Sequence, residues 1–201
     1  MNKLVTKSAA RRSGRSYRRQ LKRSEYLTKS GQITHYLRKL LSHCDVDSVS
    51  IYLPNDNEPD ISGIKSYSEH RRLLISAPVI TRFDQGKMSC LPYLGRFNLR
   101  RNRWDLREPI FNAAGEHINE HPCSDIMLMP LTAFDGNGCR VGMGKGFYDR
   151  YLERKQRLGE TLPLLVGVGF EGQRVDGKID SDEWDFSMDA VITERGLFRP
   201  E

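Results

Sequence analysis

The sequence predicts an α/β fold of three layers: a mostly parallel sheet with helices on both faces, preceded by a basic N-terminal helical arm. Three observations predict it. Several short runs are almost continuously apolar and are bounded by Gly, Pro and Asp; segments of helical composition alternate with them; and the N-terminal stretch repeats its apolar residues at helical spacing. Continuous apolar runs mark strands buried on both faces, the setting of a parallel sheet. Alternation with helices then gives a helical layer on each side.

In chain order the arm comes first. Ile33, Tyr36, Leu37, Leu40 and Leu41, extended backwards by Tyr17 and Leu21, predict one helix or two over 8–42, with Gly14 and Gly31 as weak points. Strands follow at 49–53, 73–80, 126–131, 164–170 and 190–193, with helices at 61–71 and 146–158. The stretch 92–109, rich in Arg and aromatics, reads as an irregular excursion over the sheet edge. A single domain of 201 residues accommodates all of this, with 1–42 as the arm and 43–201 as the body.

Charge is distributed unevenly. The net charge is +6, yet residues 1–41 hold 12 Lys and Arg against Glu25 alone, a balance of +11 that leaves −5 for the remainder. Such an arm should meet an anion: nucleic acid, a membrane surface or a phosphorylated small molecule. No apolar run approaches the roughly 20 residues that span a bilayer, and the composition excludes collagen-like and disulfide-scaffold proteins. The Arg- and Ser-rich stretch before Glu25 also has the composition of a transit peptide, while a secretory signal lacks its apolar region. Cys44, Cys90, Cys123 and Cys139 form no CxxC pair and have no His at zinc-ligand spacing, which fits reduced core thiols in a cytoplasmic protein.

Chemistry concentrates in residues 130–149, Pro-Leu-Thr-Ala-Phe-Asp-Gly-Asn-Gly-Cys-Arg-Val-Gly-Met-Gly-Lys-Gly-Phe-Tyr-Asp. This is a strand, a turn, a glycine-rich loop and a helix start. Gly142, Gly144 and Gly146 let the backbone bend and bring its N–H groups close to a ligand. A helix N-terminus behind such a loop is an anion site, because its first N–H groups lack partners. Arg140 and Lys145 add positive charge, and Asp149 could hold a divalent cation against phosphate oxygens. The loop is neither a Walker A motif, since Gly146 and Phe147 follow Lys145, nor a dinucleotide fingerprint, since Phe147 stands three after Gly144.

That segment resembles the hallmark of the 5-formyltetrahydrofolate cyclo-ligase family, with Val141 and Phe147 in place of a usual Leu and Tyr. The resemblance continues through Asn-Glu-Pro-Asp at 57–60, Trp-Asp-Leu-Arg-Glu-Pro at 104–109, Val-Gly-Val-Gly-Phe-Glu at 166–171 and the run 183–194. It implies an enzyme that uses ATP and Mg²⁺ to convert 5-formyltetrahydrofolate to 5,10-methenyltetrahydrofolate. Carried over residue by residue, Arg140, Val141, Gly142, Met143, Gly144, Lys145, Gly146, Phe147 and Tyr148 would line the triphosphate. Asp149 and Asp185 would hold Mg²⁺, and Glu58 and Leu53 would contact the pterin. Trp104 and Tyr148 are candidates to stack on the substrate's flat rings.

The family's N-terminal Lys-x-x-x-Arg pair matches Lys7 and Arg11, which share a helix face; Arg11 with Arg15 is a second register, and Arg18 could join it. The chain departs from the family at Trp184, where His is common, and at 176–181, where Gly-Lys-Ile-Asp replaces a Leu-Pro turn. No histidine falls in a matched motif. The resemblance implies small-molecule partners, no nucleic acid or membrane, and a monomer or weak homo-oligomer. Two rivals stand beside it: a nucleic-acid-binding module built on the arm, and another phosphate-binding α/β enzyme of the sugar-phosphate isomerase or coenzyme A transferase type.

Overall fold

Side chains along the central strands alternate between two cores, which makes the sheet the middle layer. The computed structural model describes residues 3–110 and 124–200, so the expectation for Cys123 lies outside the described residues. The central strands are β1 (Ser48–Ser50), β2 (Leu74–Arg82), β3 (Lys87–Pro92), β4 (Ile126–Pro130), β5 (Leu164–Val168), β6 (Ala190–Thr193) and β7 (Gly196–Phe198), in the spatial order β7-β6-β5-β4-β1-β2-β3. The pairs β2–β1, β1–β4, β4–β5 and β5–β6 are parallel, and antiparallel β3 and β7 close the two edges.

Ile126, Leu128, Val166, Val168 and Ile192 enter one core; Met127, Met129, Leu165 and Val191, their neighbours in sequence, enter the other. The first core is covered by α2 (Arg23–His43) through Ile33, Leu37 and Leu41, and by α3 (Ile64–Arg71) through Ile64. The second is covered by α4 (Phe147–Arg157) through Tyr151 and Leu152. Burial of each such aliphatic side chain contributes about 1.5–3 kcal/mol. The predicted three-layer α/β architecture with a mostly parallel sheet is therefore the one observed. Among the described residues, no helix is long and apolar enough to cross a membrane.

The N-terminal stretch is two helices, α1 (Lys7–Gln20) and α2, and they part at Leu21 and Lys22 rather than at either glycine. Glu25 supplies the break by accepting from the Lys22 N–H at 3.0 Å, which starts a new helix in place of continuing the old one. Gly14 is not a weak point. A Cβ there would lie 1.8 Å from the Thr132 carbonyl oxygen, so α1 packs against the chain after β4 as closely as backbone allows. Ala10, Gly14 and Arg18, spaced by four, form the buried face of α1.

Pairing of the strand predicted at 49–53 ends at Ser50, and that of the strand at 164–170 ends at Val168. The stretch 92–109 is more ordered than expected: β3 ends on Pro92, and the strands Leu99–Arg101 and Arg107–Pro109 pair antiparallel beyond it. Glu108 ties that hairpin to the sheet by accepting from the Ile80 N–H at 3.3 Å. Cys90 is a buried core thiol, whereas Cys44 and Cys139 are half-buried.

Candidate functional site

The chain reverses its direction of travel across the sheet between β1 and β4, which are neighbours although β2 and β3 intervene in sequence. In open α/β sheets, ligands bind at the carboxyl ends of the strands flanking such a reversal. A cleft of about 660 Å³ lies there, reached by Glu58 from the loop after β1 and by Pro130 from the end of β4. It is also lined by Lys7, Arg11, Trp104, the whole run 140–150, Trp184 and Asp185.

The run after β4 is shaped by a carboxylate. Asp135 is fully buried and accepts from the N–H groups of Asn137 at 2.9 Å, Cys139 at 3.0 Å and Ile179 at 2.8 Å. These bonds fold the turn that lets Ala133–Phe134 pair with Arg140–Val141 and delivers the glycine loop to the cleft. Gly144 and Gly146 then adopt φ of +91° and +63°, a left-handed backbone that disfavours residues with a Cβ. Gly146 is the N-cap of α4 and brings no side-chain cap, so the first turn keeps unsatisfied donors at the cleft wall.

The charged side chains of the cleft are engaged with one another. Arg140 pairs with Asp149, and the Phe186 N–H reaches the same carboxylate at 3.5 Å. Lys7 bridges Asp182 and Asp185. Burial pulls the Lys7 ammonium down, but its hydrogen bonds to the two aspartates outweigh this and hold it above its ordinary pKa. Arg11 donates from Nε to the Gly142 carbonyl at 2.8 Å, so α1 closes directly over the glycine loop. Lys145 stands 5.4 Å from the centroid of the Trp104 ring, whose edge contacts pack on Phe83 and Phe147 at 4.8 and 5.6 Å.

At the opposite end of the cleft, Glu58 is buried with its Oε2 accepting from the Asn55 N–H at 3.0 Å. Burial pushes its carboxyl up to about 7, against the opposing pull of the Arg18 guanidinium. Burial likewise raises the Tyr148 hydroxyl, so that group stays protonated and available as a donor.

All the predicted site residues line this one cleft except Leu53, which packs on the apolar core that α2 covers. Leu106 and Trp184, which fall inside the matched runs 104–109 and 183–194, and Arg150 and Glu153, which follow the glycine segment, also line it, although nothing in the sequence singles them out as site residues. Asp149 and Asp185 are hard oxygen donors on one cleft and suit Mg²⁺ completed by phosphate oxygens and water. Among the described residues no group of three or more His, Cys, Asp or Glu is placed to hold a metal ion.

Comparison with known proteins gives the same direction. The chain matches the family model described as the 5-formyltetrahydrofolate cyclo-ligase family over residues 3–194. It is 33% identical over 148 residues to the 5-formyltetrahydrofolate cyclo-ligase of Escherichia coli K12, covering 73% of this chain and 77% of that one. The Haemophilus influenzae enzyme of the same name is 27% identical over 161 residues, 80% of this chain and 82% of that one. In fold, the chain is similar to a 5,10-methenyltetrahydrofolate synthetase from Aquifex aeolicus, with a TM-score of 0.75, 24% identity, and coverage of 96% of this chain and 92% of that one. A synthetase of the same name from Mycoplasma pneumoniae gives 0.71 and 21%, over 94% and 98% of the two chains.

Proposed function

The chain belongs to the 5-formyltetrahydrofolate cyclo-ligase family, and on that premise we propose that it closes 5-formyltetrahydrofolate to 5,10-methenyltetrahydrofolate in a reaction driven by ATP with Mg²⁺. Enzymes of this class face one chemical difficulty: a formamide oxygen is a very poor leaving group. Transfer of the γ-phosphoryl group to that oxygen makes an imidate phosphate and releases ADP. The neighbouring amine then attacks the activated carbon and loses its proton, and the carbon–oxygen bond breaks to expel phosphate. A phosphoryl transfer of this kind asks the protein for positioning and charge neutralisation more than for covalent participation.

The residues of the cleft match those demands. The backbone of Gly142–Gly146 and the open first turn of α4 would cradle the phosphates, with Arg140, Lys145, Lys7 and Arg11 as the cations around them. Asp149 and Asp185 would hold Mg²⁺, whose charge would offset that of the phosphates, and in doing so would exchange their present partners, Arg140 and Lys7. Glu58 would accept hydrogen bonds from the pterin, and Trp104, held edge-on by Phe83 and Phe147, would offer a face to the substrate's aromatic ring. A single domain acting on small molecules in the cytoplasm, as a monomer or weak homo-oligomer, completes the reading.

The observation that carries it is convergence: residues as far apart as Lys7, Glu58, Trp104, Lys145 and Asp185 meet in one cleft at the sheet's reversal point. Purified protein given 5-formyltetrahydrofolate should develop the ultraviolet absorbance of the methenyl product only when ATP and Mg²⁺ are both present. Absence of product with both present would sink the proposal, and product without ATP would sink its mechanism.

A further inference from the structure

Arg18 has an environment that its position in a basic, Arg-rich helix does not suggest. Its side chain is fully buried, the largest of the fully buried side chains. NH2 donates to Asp56 Oδ2 at 2.9 Å, while NH1 faces Glu58 Oε1 at 3.5 Å, and neither NH1 nor Nε makes a hydrogen bond within the described structure. A buried guanidinium with two idle donors is costly. A helix that needed only charge could have turned this residue to solvent, as it does Arg12 and Arg19.

The partner loop is arranged around it. Asp56 and Asn57 are consecutive non-glycine residues with φ of +45° and +55°, a left-handed backbone that needs external support. Asp56 is held by Arg18 and by Arg15 Nε at 3.1 Å, and the Asn57 side chain donates to the Arg18 carbonyl at 3.3 Å. The C-terminal half of α1 thus fixes the loop that presents Glu58, while its N-terminal half, through Lys7 and Arg11, meets Asp185 and the glycine loop.

We propose that Arg18 is a positioning residue for folate recognition: from within α1 it keeps Glu58 an oriented carboxylate, ready to accept the N–H groups of the pterin. Arg18 does not itself line the cleft, whereas Lys7, Arg11 and Glu58 do; its NH2 also reaches Met143 Sδ of the glycine loop at 3.8 Å, a weak contact beside the carboxylates of Asp56 and Glu58. It rests on the reading of Glu58 as the pterin contact. The groups that face Glu58 are Arg18 from α1, Asp56 and the Asn55 N–H from its own loop, and three tyrosines. Tyr26 of α2 donates to the Glu58 carbonyl at 3.0 Å, Tyr52 lies at the strand end, and Tyr148 comes from α4. Among the described residues Arg18 is the cation that faces it, so its charge opposes the burial that favours the protonated acid.

The test is steady-state kinetics with 5-formyltetrahydrofolate monoglutamate and with ATP, measured across about pH 6 to 9. Arg18→Met should raise KM for the folate about tenfold, the equivalent of one charge-assisted hydrogen bond, and leave KM for ATP within about twofold. It should also move the acid limb of kcat/KM for the folate to higher pH. Arg18→Lys, which keeps the charge and loses the fork, should raise the folate KM less and leave that limb in place. Unchanged folate KM in both variants, or a parallel rise in both Michaelis constants with the limb unmoved, overturns the proposal. Should Arg18→Met not fold, the Lys variant decides alone: a wild-type folate KM overturns the proposal. Glu58→Gln separates the premise from the inference. If it leaves the folate KM unchanged, the pterin contact itself is wrong; if it raises that KM while the Arg18 variants do not, only the role of Arg18 is lost.

Discussion

Glu58 is less stable folded as a carboxylate than as an acid, and that has a measurable signature. Its pKa stands at about 7 in the folded chain against a model-compound value of 4.5, with burial as the main cause and Arg18 in opposition. The folded state therefore holds a proton that the unfolded state releases, so stability falls as pH rises between those two values. The full shift corresponds to roughly 3 kcal/mol. Glu58→Gln removes the titration while keeping the shape. Whatever the variant's melting temperature is near pH 5, its difference from wild type should move in the variant's favour as pH rises to about 8. Thermal melts at several pH values check this, and a difference independent of pH would mean that Glu58 is hydrated and ordinary. A carboxylate kept in such a place at the expense of stability is what a binding site requires, because it is left for the ligand to satisfy.

At the scale of elements, α1 contains the sharpest contrast between what the sequence suggests and what packing demands. Gly14 and Gly31 look alike as helix-interior glycines, each about 1 kcal/mol poorer than Ala by intrinsic propensity. A Cβ on Gly14 would collide with the Thr132 carbonyl, whereas around Gly31 nothing lies within 4 Å. Gly31→Ala should therefore stabilise by up to about 1 kcal/mol. Gly14→Ala should destabilise and, by lifting α1 from the glycine loop and the Glu58 loop together, raise the Michaelis constants for both substrates. Melting curves and kinetics on the pair check this, and a Gly14→Ala protein as stable as wild type would refute the close approach. The same contrast shows how far the fold and the site are legible in sequence. Ile33, Leu37 and Leu41 announce the inner face of α2 because the period is local, and Gly142 to Asp149 announce the loop because its chemistry is contiguous. Strand β3 is hidden, since Met88, Ser89, Cys90 and Leu91 alternate weakly between Lys87 and Pro92. Burial of Arg18 is hidden too, because it depends on Asp56 and Glu58, some forty positions away, and Arg is ordinarily solvated.

For the molecule as a whole, the imbalance of +11 in residues 1–41 against −5 in the rest is met in part by internal pairing. Lys7 is spent on Asp182 and Asp185, Arg15 and Arg18 on Asp56, Lys29 on Glu194, and Arg11 on the Gly142 carbonyl. The strand Leu4–Val5 pairs in parallel with Lys178–Ile179, so the basic N-terminal stretch is knitted to the acidic C-terminal segment by backbone as well as charge. A nucleic-acid-binding surface needs cations free to displace counterions, and each phosphate neutralised adds about −0.9 to the slope of log affinity against log salt. Seven of the twelve on this stretch stand exposed, Lys3, Arg12, Arg19, Lys22, Arg23, Arg38 and Lys39, but they are spread along two helices and the residues flanking them, and Arg19 lies 3.7 Å from Asp56 while Glu25 sits beside Lys22. We therefore expect DNA or RNA to bind weakly, with a slope no steeper than about −3 between roughly 0.05 and 0.2 M salt. ATP with Mg²⁺, by contrast, should raise the melting temperature in proportion to the logarithm of its concentration once above its dissociation constant. Tight nucleic-acid binding with a slope steeper than about −5, together with no thermal shift from ATP, would give the basic helix to nucleic acid instead. The internal pairing argues for the other outcome: cations already held beside Asp182, Asp185 and the glycine loop can pass to a triphosphate that enters among them, whereas a duplex would reach only the exposed cations on the outer faces of α1 and α2.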